Sequence, residues 1–326
     1  MIVTLTMNPA LDTTIELGAP LAHGGVQRSL GSHTQAAGKG VNVSRAIAHA
    51  GVKTLAVLPG AETDPLLRRL VADDLEHRSV HIGALLRTNI TLTDPDGTTT
   101  KINEQGPALN AAVLEEIVRV VVNVSRSASW LVLAGSLPPG ADPSFYADLV
   151  ATVRETLGDA APKIAVDTSE APLRALFAPH VHQLPDLIKP NAEELAELSG
   201  QGSADAFEDS PTATAAAARA LLDRGVGTVL ATLGANGAVL VNADGAWHAT
   251  HTPITPRSTV GAGDSALAGY LLADETGETA PGRLARAVAY GSAAASLPGS
   301  AIPTPTQLAP DAVSVEELTL IPRTMS

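Results

Sequence analysis

Thr259-Val260-Gly261-Ala262-Gly263-Asp264-Ser265 is the stretch on which the reading of this chain turns. Pro253 and Pro256 interrupt the approach to it, and an Ala/Leu-rich run follows through Ala266, Leu267, Ala268, Leu271 and Leu272. The order is loop, glycine turn, helix. The first amides of a helix lack internal partners and carry the positive end of its dipole. Gly261 and Gly263 would let an anion approach that backbone closely. Asp264 would then face the bound anion. That is costly unless the acid accepts a proton from an attacking hydroxyl while the amides hold a phosphoryl group. Asp264 as a plain helix cap is the competing reading of the same residues.

Working outward, short β-branched runs at 2–6, 54–58, 130–134, 164–167, 186–189 and 228–233 alternate with helical patterns at 41–50, 111–124, 143–157, 192–198 and 212–224. Such alternation implies right-handed crossovers and a mainly parallel sheet with helices on both faces. Ligands of such sheets bind beyond the carboxyl ends of the strands. Here those ends carry Asn8-Pro9, Gly135-Ser136, Asp167-Thr168, Lys189-Pro190-Asn191 and Gly234. One segment breaks the pattern. Residues 90–93 and 98–102 flank Asp94-Pro95-Asp96-Gly97, a hairpin signal. With residues 13–17 and 26–30 they suggest a small antiparallel flap, either a lid over a site or an ordinary surface hairpin. Residues 201–211 read as an acidic loop, and the proline-rich tail after Pro298 as a surface segment.

Composition narrows the function classes. The chain has 326 residues, 45% of them hydrophobic but only 2% aromatic, so its core must rest on Ala, Val and Leu. A net charge of −13 argues against a nucleic-acid duplex or an anionic membrane as partner. The absence of cysteine removes disulfides, thiol nucleophiles and thiolate-bound zinc. No apolar run reaches the ~18–20 residues of a membrane span, and Met1–Thr6 does not resemble a signal segment. A soluble, cytoplasmic protein is the expectation.

Two further motifs carry chemistry. Ala36-Ala37-Gly38-Lys39-Gly40-Val41-Asn42-Val43 opens a helix. It lacks the four-residue spacer and the Ser/Thr of a P-loop, and reads either as a capped surface helix or as a polar start offering Gly38, Lys39 and Asn42 to a hydroxylated or anionic ligand. Lys189-Pro190-Asn191-Ala192-Glu193-Glu194 ends a strand and starts a helix. Asn191 and Glu194 form a capping pair in one reading and orient magnesium through water in the other. The nine histidines show no metal-ligand spacing.

In chain order, Asn8-Pro9-Ala10-Leu11-Asp12, Gly38-Lys39-Gly40-Val41-Asn42, Gly135-Ser136-Leu137-Pro138-Pro139-Gly140, Lys189–Glu194, Thr232-Leu233-Gly234-Ala235-Asn236-Gly237-Ala238 and Thr259–Ser265 together resemble the PfkB/ribokinase family of sugar kinases over nearly the whole chain. The Asn-Pro-Ala-Leu-Asp opening and the Gly-Ser-Leu-Pro-Pro-Gly loop look like its phosphosugar branch: 1-phosphofructokinases above all, with tagatose-6-phosphate kinases and minor 6-phosphofructokinases beside them. Ala37 departs from the glycine of many members.

The resemblance implies one ribokinase-like three-layer α/β/α domain spanning 1–326, with lid strands inserted at about 12–33 and 87–104 that often mediate a homodimer. It implies ATP and Mg2+ as cosubstrate and metal, and fructose 1-phosphate as acceptor. Tagatose 6-phosphate and fructose 6-phosphate are the alternatives, and a non-catalytic phosphosugar-binding regulator a remote one. Asp264 becomes the base and the Gly261, Ala262 and Gly263 amides the anion hole. Asp12, Gly38 and Asn42 take sugar hydroxyls; Arg87, Asn89 and Lys101 take the substrate phosphate, with Ser136 nearby and Lys39 neutralising charge. Lys189, Asn191, Thr232, Gly234, Gly237 and Gly291 fall on the nucleotide side, and Glu194 with Asn191 at the magnesium.

Overall fold

The run Ile2–Thr6 is buried at every position, as a strand covered on both faces must be. The computed structural model describes residues 1–319 and places this strand inside a ten-stranded sheet. The order across the sheet is Val313–Glu317, Gly245–His251, Ala238–Asn242, Thr228–Thr232, Leu187–Ile188, Lys163–Asp167, Trp130–Ala134, Ile2–Thr6, Thr54–Pro59, His77–Val80. From Thr228–Thr232 to His77–Val80 all pairings are parallel, so these seven strands point their carboxyl ends to one edge.

Side-chain alternation divides the core in two. Val3, Leu5, Leu131, Leu133, Val229 and Ala231 join the cluster formed with the helices Pro65–Ala72, Ala111–Ser125, Phe145–Leu157, Ala192–Ser199 and Pro211–Leu222. Ile2, Trp130, Val132 and Leu230 join the opposite cluster, with Lys39–His49, Ala262–Glu275 and Ala280–Ala295. Period-two strands between two helical layers give the expected ribokinase-like three-layer architecture.

Three strands on one side are antiparallel additions: Ala238–Asn242, Gly245–His251 and Val313–Glu317. The last corrects the expectation of a surface tail. Val313 and Val315 stay half-buried while alternate residues face water, and Ala249 pairs with Val315 at the edge; the tail beyond 319 lies outside the described residues. Residues 201–211 are likewise not all loop. Ser203 caps a short helix, Ala204–Asp209, whose Phe207 is buried and holds it to the core.

The lid is a separate four-stranded sheet in the order Ser29–Ala37, Ala10–Leu17, Arg87–Thr93, Thr99–Asn103. Its hairpin at 94–97 closes as expected, with the Gly97 amide donating to Asp94 O at 2.9 Å. Its central pair, however, is parallel, Asp12 opposite Asn89. Both segments leave the main domain in the same direction, so a purely antiparallel flap is not available to them. The third strand covers Ser29–Ala37 rather than 26–30.

Candidate active site

A cleft of about 1110 Å³ lies along the carboxyl edge of the main sheet, beneath the lid. Its floor is built by register. Thr6, Ala134 and Asp167 lie level as the last residues of adjacent parallel strands. The Tyr146 hydroxyl donates to the carbonyls of Ala134 and Gly135 and fixes the turn that presents Ser136.

Asp264 sits in the first turn of Ala262–Glu275, whose N-cap is Gly261 in the left-handed region at φ 77° and offers no side-chain cap. A Cβ at 261 would strain that conformation. Asp264 is therefore no cap. Its Oδ2 accepts from Nδ2 of Asn42 at 2.8 Å, and the pair is buried. Burial raises the Asp264 pKa, the like charge of Asp167 raises it further, and Lys39, Asn42 and Lys189 oppose the shift. Such a carboxylate can take a proton from a bound hydroxyl. Among the nearby amides, that of Ala262 donates to Thr259 O at 3.3 Å. The amides of Gly261 and Gly263 point to no partner among the described residues.

Asp167, named from sequence only as a strand end, proves central. It is fully buried, with Lys39 Nζ 2.7 Å from Oδ1 and Lys189 Nζ 3.2 Å from Oδ2. Burial opposes its ionisation, but the two ammonium groups prevail and hold its pKa below the usual aspartate value. Lys39 is desolvated too, yet the charge of Asp167, helped by Asp264, keeps its pKa above the ordinary lysine value. Lys189 Nζ lies under the glycine turn, 3.1 Å from where a methyl on Gly263 would be. Lys189 thus stands beside the free amides, and Lys39 shares Asp167 with it. The signal available in sequence was an acid ending an otherwise apolar strand, Ile164-Ala165-Val166-Asp167.

The lid supplies the opposite wall. Asp12 and Asn89 face each other by register, and Asn89 Nδ2 donates to Asp12 Oδ1 at 2.9 Å. Burial raises the Asp12 pKa against the pull of Asn89, Arg87 and Lys101. The amide oxygens of Asn42 and Asn89 are buried without hydrogen-bond partners, and both residues line the cleft with Gly38 and Ser136. Clustered unsatisfied acceptors suit a ligand rich in hydroxyl donors. Arg87 spends three of its five N–H groups on the carbonyls of Asn8 and Glu104, leaving two for an anion. Lys101 is not brought into the cleft. It lies on the outermost lid strand, opposite Thr91 and exposed, so only its charge reaches Asp12.

At the other end Thr232, Gly234, Gly237 and Gly291 line the cleft as expected, joined by Ala204 and Glu208 of the unexpected short helix. His248 Nε2 lies 2.9 Å from Asn236 O and steadies the Gly234–Asn236 turn. Asn191 and Glu194 form the full capping box, each accepting from the other's main-chain N–H. The cap consumes Asn191 Oδ1 and one Glu194 oxygen and leaves the second Glu194 oxygen out of the cap. Glu194 is not in the cleft lining, where its neighbour Glu193 stands. Burial raises its pKa, the cap bond from Asn191 opposing. No cluster of three metal-ligating side chains occurs among the described residues.

Comparison with known proteins bears on the family and the fold. A family model described as pfkB family carbohydrate kinase matches residues 6–307. The 1-phosphofructokinase of Rhodobacter capsulatus is 36% identical, with 98% of each chain covered. That of Haloferax volcanii is 35% identical over 93% of each. Among solved structures, phosphofructokinase-2 from Escherichia coli in complex with potassium matches with a TM-score of 0.84 at 26% identity, covering 94% of this chain and 96% of that one. Ribokinase from Thermotoga maritima, at 18% identity and a TM-score of 0.70 over 94% of this chain and 97% of that one, shares the fold.

Proposed function

This chain belongs to the pfkB family of carbohydrate kinases, and from that premise we propose that it phosphorylates fructose 1-phosphate to fructose 1,6-bisphosphate with ATP and Mg2+. The observation that carries the proposal is the buried Asp264, held by Asn42 and set beside the free amides of Gly261 and Gly263. The acceptor's C6 hydroxyl gives its proton to Asp264 while its oxygen bonds to the γ-phosphorus. The bond from that phosphorus to the β,γ-bridging oxygen breaks, and ADP leaves with the electron pair. The turn amides, Lys39 and Lys189 balance the charge on the transferred group. The partnerless acceptors of Asn42 and Asn89, with Asp12 and Gly38, orient the ketose hydroxyls. The two unused N–H groups of Arg87, near Ser136, hold the phosphate already on the sugar, with Lys101 available only if the lid moves.

The nucleotide lies along Thr232, Gly234, Gly237 and Gly291, its phosphates directed to Lys189. Magnesium would be held through water by the uncommitted Glu194 oxygen, with Asn191 beside it, and would supply positive charge to the nucleotide's phosphates. Among the described residues, four of the six exposed large hydrophobics, Leu21, Val26, Leu30 and Ile102, belong to the lid or its connections. That concentration supports a homodimer formed through the lid. Among the described residues no helix is long and apolar enough to cross a membrane, and the proposed substrates are those of a cytoplasmic enzyme.

Steady-state rates with ATP on fructose 1-phosphate, fructose 6-phosphate and tagatose 6-phosphate test the reading. The highest kcat/KM is expected for fructose 1-phosphate. A higher value for either rival overturns the isomer, and absence of ADP release with all three overturns phosphosugar phosphorylation.

A further inference from the structure

Asn8 stands where the chain first passes from the main sheet into the lid, between Ile2–Thr6 and Ala10–Leu17. It is only 6% exposed. Its Nδ2 donates to Gln105 O at 3.0 Å and to Ser136 Oγ at 3.4 Å. A carbonyl can only accept, so the contact with Gln105 fixes which end of the amide is which. The main-chain oxygen of Asn8 accepts from Nε of Arg87 at 3.2 Å and from its Nη2 at 2.9 Å. Arg87 Nη1 donates to Glu104 O at 3.1 Å, and the Glu104 carboxylate accepts the Thr88 amide at 2.8 Å.

The chain crosses between main domain and lid four times, near residues 9, 38, 86 and 104–106. Asn8 holds three of these crossings together. At the last of them Gly106 has φ 90°, and a methyl there would collide with Asn8 Oδ1. That oxygen is buried with no hydrogen-bond partner. An orphaned amide oxygen is a cost that an apolar residue would avoid. What the amide supplies in return is its donor side, which ties the returning lid segment to Ser136. Release of Gln105 O would free the segment whose Glu104 carbonyl anchors Arg87.

We propose that Asn8 is a positioning residue of the phosphosugar subsite: it pins segment 104–106 and the Arg87 guanidinium to Ser136, holding the two remaining Arg87 N–H groups toward the substrate's phosphate. Its function rests on the phosphosugar reading above, and it acts through Arg87 rather than on the reacting atoms.

Asn8→Ala and the isosteric Asn8→Asp both remove the donor. In each, the KM for fructose 1-phosphate should rise at least tenfold, with kcat and the KM for ATP changed less than threefold. In an Arg87→Ala background, Asn8→Ala should add less than twofold, because the group it serves is gone. Equal rises in both KM values, or effects that multiply in the double variant, would mean a general hinge role and overturn the proposal. Hydrogen exchange on the free protein supplies a test that needs no sugar. Amides 87–89 and 104–106 should exchange at least tenfold faster in Asn8→Asp, while Ile2–Thr6 keeps its protection. Unchanged exchange there overturns the positioning role. A wild-type enzyme that turns over no sugar phosphate overturns the phosphosugar reading instead, and the exchange result still decides whether Asn8 pins Arg87.

Discussion

Lys39 Nζ lies 2.7 Å from Oδ1 of Asp167, a residue 128 positions further along the chain. Lys39 opens a helix, where a cation meets the positive end of the dipole and is disfavoured. Asp167, with no solvent exposure, needs a counter-charge. Each offsets the cost of the other, and Lys189 completes the cluster from the far side. The result is two cations held on one buried carboxylate, with Lys189 against the glycine turn, in a chain whose net charge is −13.

Asp167→Asn should therefore destabilise the fold by about 3 kcal/mol, the low end for breaking a buried pair, since Lys39 keeps some hydration. The folded pKa of Asp167 is depressed, so its stabilisation is present above the unfolded value of ~3.9 and is lost as pH falls through the folded value. Urea unfolding of variant and wild type should differ at pH 7 and converge in acid. A difference below 1 kcal/mol at pH 7 would refute the clamp.

Asp264→Asn preserves volume and removes the base. Its kcat should fall roughly 10²–10⁴-fold while substrate KM values stay close to wild type. A loss under tenfold would reduce Asp264 to a structural role.

The same substitution should raise thermal stability at neutral pH. The pKa of Asp264 is raised in the folded protein, so its charged form opposes folding once pH exceeds the folded value. The Tm advantage of Asp264→Asn should be full above that value and shrink as pH falls toward ~3.9. Calorimetric scans across this range would show the trend, and a Tm below wild type at pH 7 would contradict it.

For the wild-type enzyme, kcat/KM should fall on the acid side with a midpoint above ~3.9. This midpoint belongs to the coupled Asp264, Asp167 and lysine cluster rather than to one residue. A profile flat down to the ordinary aspartate value would exclude Asp264 as the titrating base.

Arg87→Ala and Lys101→Ala should behave differently. Loss of Arg87 should weaken phosphosugar binding by ~1.5–3 kcal/mol, about ten- to a hundredfold, with ATP binding little changed. Lys101, exposed on the outer strand, should matter several-fold less. Titration calorimetry with fructose 1-phosphate and with a non-hydrolysable ATP analogue separates the two, and equal losses would show that the lid closes far enough to bring Lys101 in.

The strands at 2–6 and 130–134 and the helix after Gly261 were legible because each is written in adjacent residues: β-branched runs, a glycine turn, an alanine-rich face. Edge elements were less so. Val313–Glu317 follows a proline-rich stretch and carries two consecutive glutamates, a pattern an exposed tail would share, and only its pairing with Gly245–His251 makes it a strand. Likewise Ala204–Asp209 is too short and acidic to announce itself without the burial of Phe207. The cap between Asn191 and Glu194 was readable from a spacing of three.

By itself, then, the sequence determined the alternating three-layer plan, the glycine turn bearing Asp264, and the ordered motifs of a carbohydrate kinase, since all of these depend on neighbours along the chain. The tertiary structure alone decided that Asn42 reaches Asp264 across 222 positions, that Asp167 binds both Lys39 and Lys189, that Asn8 gathers the lid crossings, and that Lys101 stands apart. Strand order and register set those distances, and residues so far apart in sequence meet only when the parallel sheet brings its carboxyl ends to one edge.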